Sequence, residues 1–183
     1  LGQLYVHFEK EAEAREAFDE ALRRLEPKRG SVIALANAFI KLNELDRALE
    51  VYTKGMELGV NDLDYQLADL EGRRGNYEGM IDASLRLMRA KPQYFRNVQN
   101  SFNRNLRIQD NPDLGDLLRT KLLRAAREYP EDTALSEMLV WYFNQVNDFG
   151  NAFVHAKSLD LRFRESGERL IELAQTATRN EDY

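Results

Sequence analysis

A motif written twice, 34 residues apart, limits what this chain can fold into. Leu1-Gly2-x2-Tyr5-x8-Ala14-x3-Phe18-x2-Ala21 returns as Leu35-Ala36-x2-Phe39-x8-Ala48-x3-Tyr52-x2-Gly55, and all six matched residues move by 34. A fixed period of that length marks stacked helix pairs, in which each pair buries its apolar face only against its neighbours. Within each half, large and small apolar residues recur three and four residues apart, which is one face of an α-helix. The small residues let helices approach, and the aromatics fill the space between them.

The period can be followed along the chain. Six repeats are expected, at about residues 1–27, 28–60, 61–92, 93–130, 131–164 and 165–183. Ser31 is expected to cap the helix that opens repeat two, and Asn61 or Asp62 the helix that opens repeat three. Repeat three carries Leu67-Ala68, a Gly75-Asn76-Tyr77 turn, then Met80, Ser84 and Leu87, but places Glu71 where an aromatic belongs. Repeat four begins with a helix rich in Asn and Gln, about residues 93–108. A second helix follows from Asp110-Asn111-Pro112, with a capping residue before a proline in the first turn. Its buried stripe is Leu114, Leu117, Leu118, Leu122, Ala125 and Ala126. The repeat-closing prolines Pro92 and Pro130 lie 38 residues apart, so about four residues are inserted, in the 107–113 loop. Repeat five restores the pattern through Leu139, Val140, Phe143, Ala152, Ala156 and Leu159. Repeat six shows one helix, from Ser166 to about Arg179. Eleven helices or fragments are expected in a single all-α domain. Both ends read as cuts through a longer array, with Leu4, Tyr5 and Phe8 at one end and Leu170, Leu173 and Ala177 at the other left open to self-association.

Composition excludes several classes. With 31% charged and 43% apolar residues the chain is not a disordered tail, and no apolar run approaches the roughly 18 residues a membrane span needs. It has no cysteine, hence no disulfide or thiolate metal site. The compartment stays open between cytoplasm and bacterial periplasm. The two histidines, His7 and His155, are 148 residues apart, at opposite ends of a repeat array, and cannot share a metal. Glu9, Glu11, Glu13 and Glu16 read as a solvated face. No Gly-rich phosphate loop, nucleophile elbow or His-Glu-x-x-His motif is present, and Gly72-Arg73-Arg74-Gly75 falls on an inter-helix turn. No enzyme activity, cofactor or metal is expected.

Charge is unevenly spread. Residues 1–71 carry a net charge of −6, residues 72–127 carry +7, and residues 128–183 carry −6. The basic belt either pairs with its acidic neighbours or is simply solvated, or it offers a docking surface for an acidic segment, another copy of the array or nucleic acid. Nucleic acid ranks last, because the acidic ends repel a long polyanion.

The Leu-[Gly/Ala]-x2-[Tyr/Phe]-x8-Ala-x3-[Phe/Tyr]-x2-[Ala/Gly] pattern, with Pro27, Pro92 and Pro130 near repeat ends, resembles the tetratricopeptide repeat. Trp141-Tyr142-Phe143, Ala156-Lys157-Ser158-Leu159-Asp160 and Gly167-Glu168-Arg169 are similar to segments of long tetratricopeptide proteins from Bacteroidetes. The resemblance implies a right-handed α-α superhelix that binds protein segments along a concave groove lined by the first helix of each pair. Carried over residue by residue, the groove would include Ile33, Asn37 and Lys41; Tyr65, Asp69 and Arg73; Gln99, Asn100, Asn103 and Arg107; Glu137, Trp141 and Gln145; and Gln175. The chaperone-tail-binding members use a Lys followed four residues later by Asn. Here Ile33 replaces the Lys, so a carboxylate clamp is not expected. Trp141 is open to two readings, groove and core. The resulting expectation is a non-enzymatic interaction scaffold binding a mildly acidic protein segment. A regulatory or assembly module of a larger catalytic or membrane-associated protein is the alternative, and an RNA-binding helical repeat the third.

Overall fold

The structure is a computed structural model and describes residues 11–179. Leu1, Gly2, Leu4, Tyr5, His7, Phe8, Glu9, the side chain of Ala14 and the Glu181-Asp182-Tyr183 end lie outside the described residues. Contacts divide the chain into two compact units, residues 1–76 and 77–183. The division falls in the Gly75-Asn76-Tyr77 turn, between the helices expected to pair in repeat three. All regular structure among the described residues is helical.

The first unit contains α1 (Glu11–Arg23), α2 (Arg29–Lys41), α3 (Leu45–Glu57) and α4 (Asp64–Arg74). The second contains α5 (Tyr77–Ala90), a 3-10 turn (Pro92–Tyr94), α6 (Phe95–Leu106), α7 (Pro112–Glu128), α8 (Thr133–Gln145), α9 (Phe149–Phe163) and α10 (Glu168–Arg179). These ten helices fall where ten of the eleven expected ones do. The eleventh, expected before Glu11, lies outside the described residues.

In the first unit the second copy of the motif supplies buried residues to two adjacent helices. Val32, Ala36 and Phe39 on α2 are buried against Ala48, Val51, Tyr52 and Gly55 on α3. Phe18 on α1 meets the edge of Phe39, with ring centroids 4.8 Å apart. Gly55 holds the closest approach: a Cβ there would lie 2.8 Å from a methyl of Val32. Leu67, Ala68 and Leu70 bury the inner side of α4. Each such aliphatic side chain, taken out of water, contributes about 1.5–3 kcal/mol before the entropy of ordering is set against it.

Glu71 takes the place of the expected aromatic by being paired. Its carboxylate is buried to 12% side-chain exposure and meets Arg74 at 2.7 Å, while Arg74 also reaches Asp46 on α3 at 2.8 Å. Hydrogen bonding to Asp46 and Glu71 outweighs burial and raises the Arg74 pKa further above its ordinary value.

Three of the helix-ending turns share one geometry. Asn43, Gly75 and Asn147 adopt positive φ. The N–H after each bonds back five residues: Glu44 to the Phe39 carbonyl, Asn76 to Glu71 and Asp148 to Phe143, at 2.9–3.0 Å. This ending satisfies the last helical carbonyls, and Gly or Asn accepts its left-handed residue at low cost. Repeat four departs from it. There Arg107 takes the positive φ, and its own carbonyl accepts from Asp110 and Asn111. The loop here spans five residues, 107–111, against three at 42–44 and 146–148, and α7, at 17 residues, is the longest helix described, so the loop takes up only part of the expected four-residue insertion.

Three boundary expectations are corrected. The second helix of the described chain starts at Arg29, with Lys28 as its cap residue and no side-chain cap bond, so Ser31 lies inside the helix. Helix α4 starts at Asp64 after Leu63, again without a side-chain cap bond, so neither Asn61 nor Asp62 occupies the cap position. Helix α6 is shorter than the 93–108 expected, because Pro92 to Tyr94 form a 3-10 turn and Arg107 leaves the helix. The Asn111 cap stands as read: its side chain accepts from the Leu114 N–H at 3.4 Å.

In the second unit one core runs through α5 to α10. Met80, Ile81 and Met88 on α5, Phe102 on α6, Leu118 and Leu122 on α7, and Leu135, Met138 and Leu139 on α8 are fully enclosed. Helix α5 packs against α6, α7 and α8, α8 lies along α9, and α9 along α10. Leu173 is buried and Leu170 and Ala177 half-buried against this core, so this stripe is less open to self-association than the sequence implied. The exposed apolar residue of α10 is Ile171, off that stripe.

Candidate interaction surfaces

Helix α6 has two unlike faces because its residue types alternate with helical period. Val98, Phe102 and Leu106 are buried. Arg96, Asn100, Asn103 and Arg104, at spacings of four, three and one, fall on the opposite side and are all exposed. None of these four side chains makes a hydrogen bond or ion pair to another described residue. Their donors and acceptors are therefore open to solvent or to a ligand. Asn105 differs, since its amide bonds back to the Ser101 carbonyl at 2.8 Å.

Phe102 links α6 to α8. Its ring is 0% exposed and lies 6.3 Å from the ring of Trp141, tilted by 35°. Trp141 is half-buried against the core, which supports its reading as a packing residue and leaves part of the indole exposed. On the same side of α8, Glu137 accepts from Arg169 at 3.3 Å, and Arg169 also meets Glu165 at 2.6 Å. Asn144, three residues beyond Trp141, has a buried amide oxygen without a hydrogen-bond partner.

Arg107 is not on the α6 face where the repeat register put it. It is the residue that ends the helix, with φ 46° and ψ 52°, and its guanidinium meets Asp110 at 2.9 Å. Its register was misread because the sequence there offers no Gly or Asn to announce the helix end.

The expected groove residues of the first unit are more self-satisfied. Asn37 and Lys41 are exposed and Ile33 half-buried. Tyr65 stands 48% exposed in the first turn of α4. Asp69 and Arg73, one turn apart, pair with each other at 2.8 Å, which neutralises the cation a carboxylate clamp would need.

The basic belt divides in two. Part of it is spent within the protein. Lys121 meets Glu78 at 2.7 Å and Asp82 at 2.9 Å, and Arg89 meets Asp132 at 3.0 Å. Burial opposes charging of Lys121, but its bonds to both carboxylates raise its pKa. The same contact lowers that of Glu78. Four of its other cations (Arg96, Arg104, Arg124 and Arg127) are exposed without an ion pair to a described residue.

Sequence reasoning missed two concavities. One, of about 460 Å³, lies between the 107–113 insertion and the turn after α8, lined by Ile108, Gly115, Tyr142, Phe143 and Asp148 among others. The other, about 290 Å³, lies between α5 and α7. Neither has a local signal, since each joins residues 30 or more apart in the chain. The repeat period could have shown only that the insertion loop needed somewhere to go.

His155 lies flat on Phe143, with ring centroids 5.7 Å apart and planes 11° apart. Burial pushes its imidazole pKa down. Among the described residues no three His, Asp or Glu side chains are placed to hold a metal ion. No helix among them is long and apolar enough to cross a membrane.

No protein-family model matches the chain, and no curated protein matches it.

Proposed function

We propose that this protein is a non-catalytic interaction scaffold: a right-handed superhelix of tetratricopeptide-like repeats that holds a mildly acidic segment of another protein. The observation that carries this reading is the outer face of α6. Two amides, Asn100 and Asn103, stand between two guanidinium groups, Arg96 and Arg104, and none of the four is used within the described protein. Amides pair with a peptide backbone whatever its sequence, and the arginines favour carboxylates. The half-open indole of Trp141, one helix further on, supplies an apolar anchor of the kind that dominates many interfaces. The 34-residue register and the shared turn at Asn43, Gly75 and Asn147 support the repeat architecture.

Immobilised protein should capture its partner from the source cell. The affinity for that partner, followed through the emission of the single tryptophan, should fall by about 1 kcal/mol in Asn103→Ala. A larger loss is expected in an Arg96→Glu/Arg104→Glu double variant. Melting temperatures should stay where they were, because these side chains touch no core. Unchanged affinity in both variants would remove the α6 face from the binding surface.

A further inference from the structure

We propose that the pocket between α5 and α7 is a second docking site, one that takes an acidic side chain, Asp or Glu, together with an apolar residue beside it. This surface is separate from the α6 face and stands or falls independently of it.

The pocket, about 290 Å³, has an apolar floor and charged walls. Leu85, 6% exposed, and the ring of Tyr129 form part of the floor. Four cations line it, Arg86, Arg89, Lys121 and Arg124, against two carboxylates, Asp82 and Glu128. Glu78, bonded to Lys121, and Asp132, bonded to Arg89, balance these cations in number, so the positive charge open to a ligand is that of Arg124 and of the terminal amino groups of Arg89, and the two lining carboxylates are unequal. Asp82 is held by Lys121 at 2.9 Å, whereas Glu128 has no ion pair to a described residue.

Arg89 is built into place. Its guanidinium carbon lies 3.2 Å from the centroid of the Tyr129 ring, and its Nε donates to Asp132 at 3.0 Å. Asp132 is itself fixed, since its other carboxylate oxygen caps α8 by accepting from the Ala134 N–H at 3.2 Å. A guanidinium stacked on a ring and bonded through Nε has two terminal amino groups left to donate, arranged to suit a carboxylate. The side-chain entropy of holding it has already been spent in folding, which favours binding. Arg124, exposed on α7, adds a cation with no ion pair to a described residue. A carboxylate between Arg89 and Arg124 would gain charge-assisted hydrogen bonds, and the residue beside it would cover Leu85 and Tyr129. Glu128, one turn from Arg124, opposes such a ligand and sets how strong its charge must be.

The test uses NMR of the arginine Nε–H groups during titration with an octapeptide alternating Glu and Leu. The same peptide with Gln for Glu and a single-stranded RNA oligomer serve as comparisons. The expected result is a saturable shift at Arg89 and Arg124 with the Glu peptide alone. Arg124→Glu should raise the half-saturation concentration at Arg89 about tenfold, the loss of one charge-assisted bond. Glu128→Gln should lower it, and Arg15→Glu, the same charge change on α1, should leave it alone. Signals of Arg96 and Arg104 report the α6 face in the same spectra, so either surface can fail alone. The proposal is overturned if Arg89 does not respond to the Glu peptide, if the Gln peptide or the RNA binds there as well, or if Arg15→Glu and Arg124→Glu act alike.

Discussion

The rings of Phe102 and Trp141 face each other across α6 and α8, 6.3 Å apart, and the one is wholly enclosed while the other is half open. That asymmetry separates stability from recognition. Phe102→Ala removes a ring from a closed site and should cost about 3–5 kcal/mol of unfolding free energy. Trp141→Phe keeps the packed side and should cost about 1 kcal/mol or less. Urea denaturation followed by circular dichroism compares the two. Equal losses would mean that Trp141 is as much a core residue as Phe102 and offers little to a partner.

A second prediction concerns the approach of α2 and α3. In an open helix, Gly→Ala would stabilise by about 1 kcal/mol. At Gly55 the new methyl would stand 2.8 Å and 2.9 Å from the two methyls of Val32, a β-branched side chain with little freedom to turn inside α2. Gly55→Ala should therefore destabilise by about 1–2 kcal/mol, as overpacking does. The added change Val32→Ala should recover part of the loss, because it removes the methyls that clash. Thermal melts of the two variants decide this, and a higher melting temperature for Gly55→Ala alone would mean that the helices lie further apart.

The stacking of His155 on Phe143 gives a pH dependence with a fixed sign. Burial lowers the folded pKa of His155 below its ordinary value of 6.5, so the unfolded chain takes up the proton first. The contribution of this residue is complete above that value and shrinks as the pH falls through it towards the folded pKa. Glu20 and Glu78, whose pKa values are lowered by Arg23 and Lys121 respectively, lose their contributions in a lower window, below the ordinary carboxylate value of 4.5. Between pH 7 and 5.5 the melting temperature should drop in the parent and drop less in His155→Phe, which keeps the stacked ring without the proton site. His7 is the same in both proteins, so the difference isolates His155. Equal drops would show that His155 gains no charge on unfolding in this range.

Helix positions were legible because their cause is local. The stripes Met80-Ser84-Leu87 and Leu118-Leu122 repeat at helical spacing, and all five residues are buried. Two prolines announce the extra length of repeat four, since each closes a repeat, but not how that length is shared between the 107–111 loop and α7. The misses involve positions set by tertiary or backbone detail. Ser31 and Asp62 have the chemistry of caps, yet α2 and α4 begin elsewhere, at Arg29 and Asp64. Arg107 ends α6 in a conformation that Gly or Asn would announce and Arg does not. Glu71 looked like a flaw because one of the carboxylates sharing its arginine, Asp46, is 25 residues away in the chain. Among the expected binding residues, Asn100 and Asn103 are exposed on α6 as the spacing implied, whereas Asp69, Arg73 and Glu137 are engaged in ion pairs. The pocket around Arg89 and Tyr129 was invisible because its residues come from two repeats with no shared motif.

The most direct measurement places a photo-crosslinking amino acid at Asn103 in the protein expressed in its own cell. A matched copy carries it at Thr53, exposed on α3. Irradiation should join Asn103 to one defined partner, and sequencing of the adduct should place the crosslink in a stretch rich in Asp or Glu. The Thr53 copy should give none of that adduct. Adducts of equal yield at both positions, or a crosslink from Asn103 to RNA, would contradict a peptide-binding face on α6.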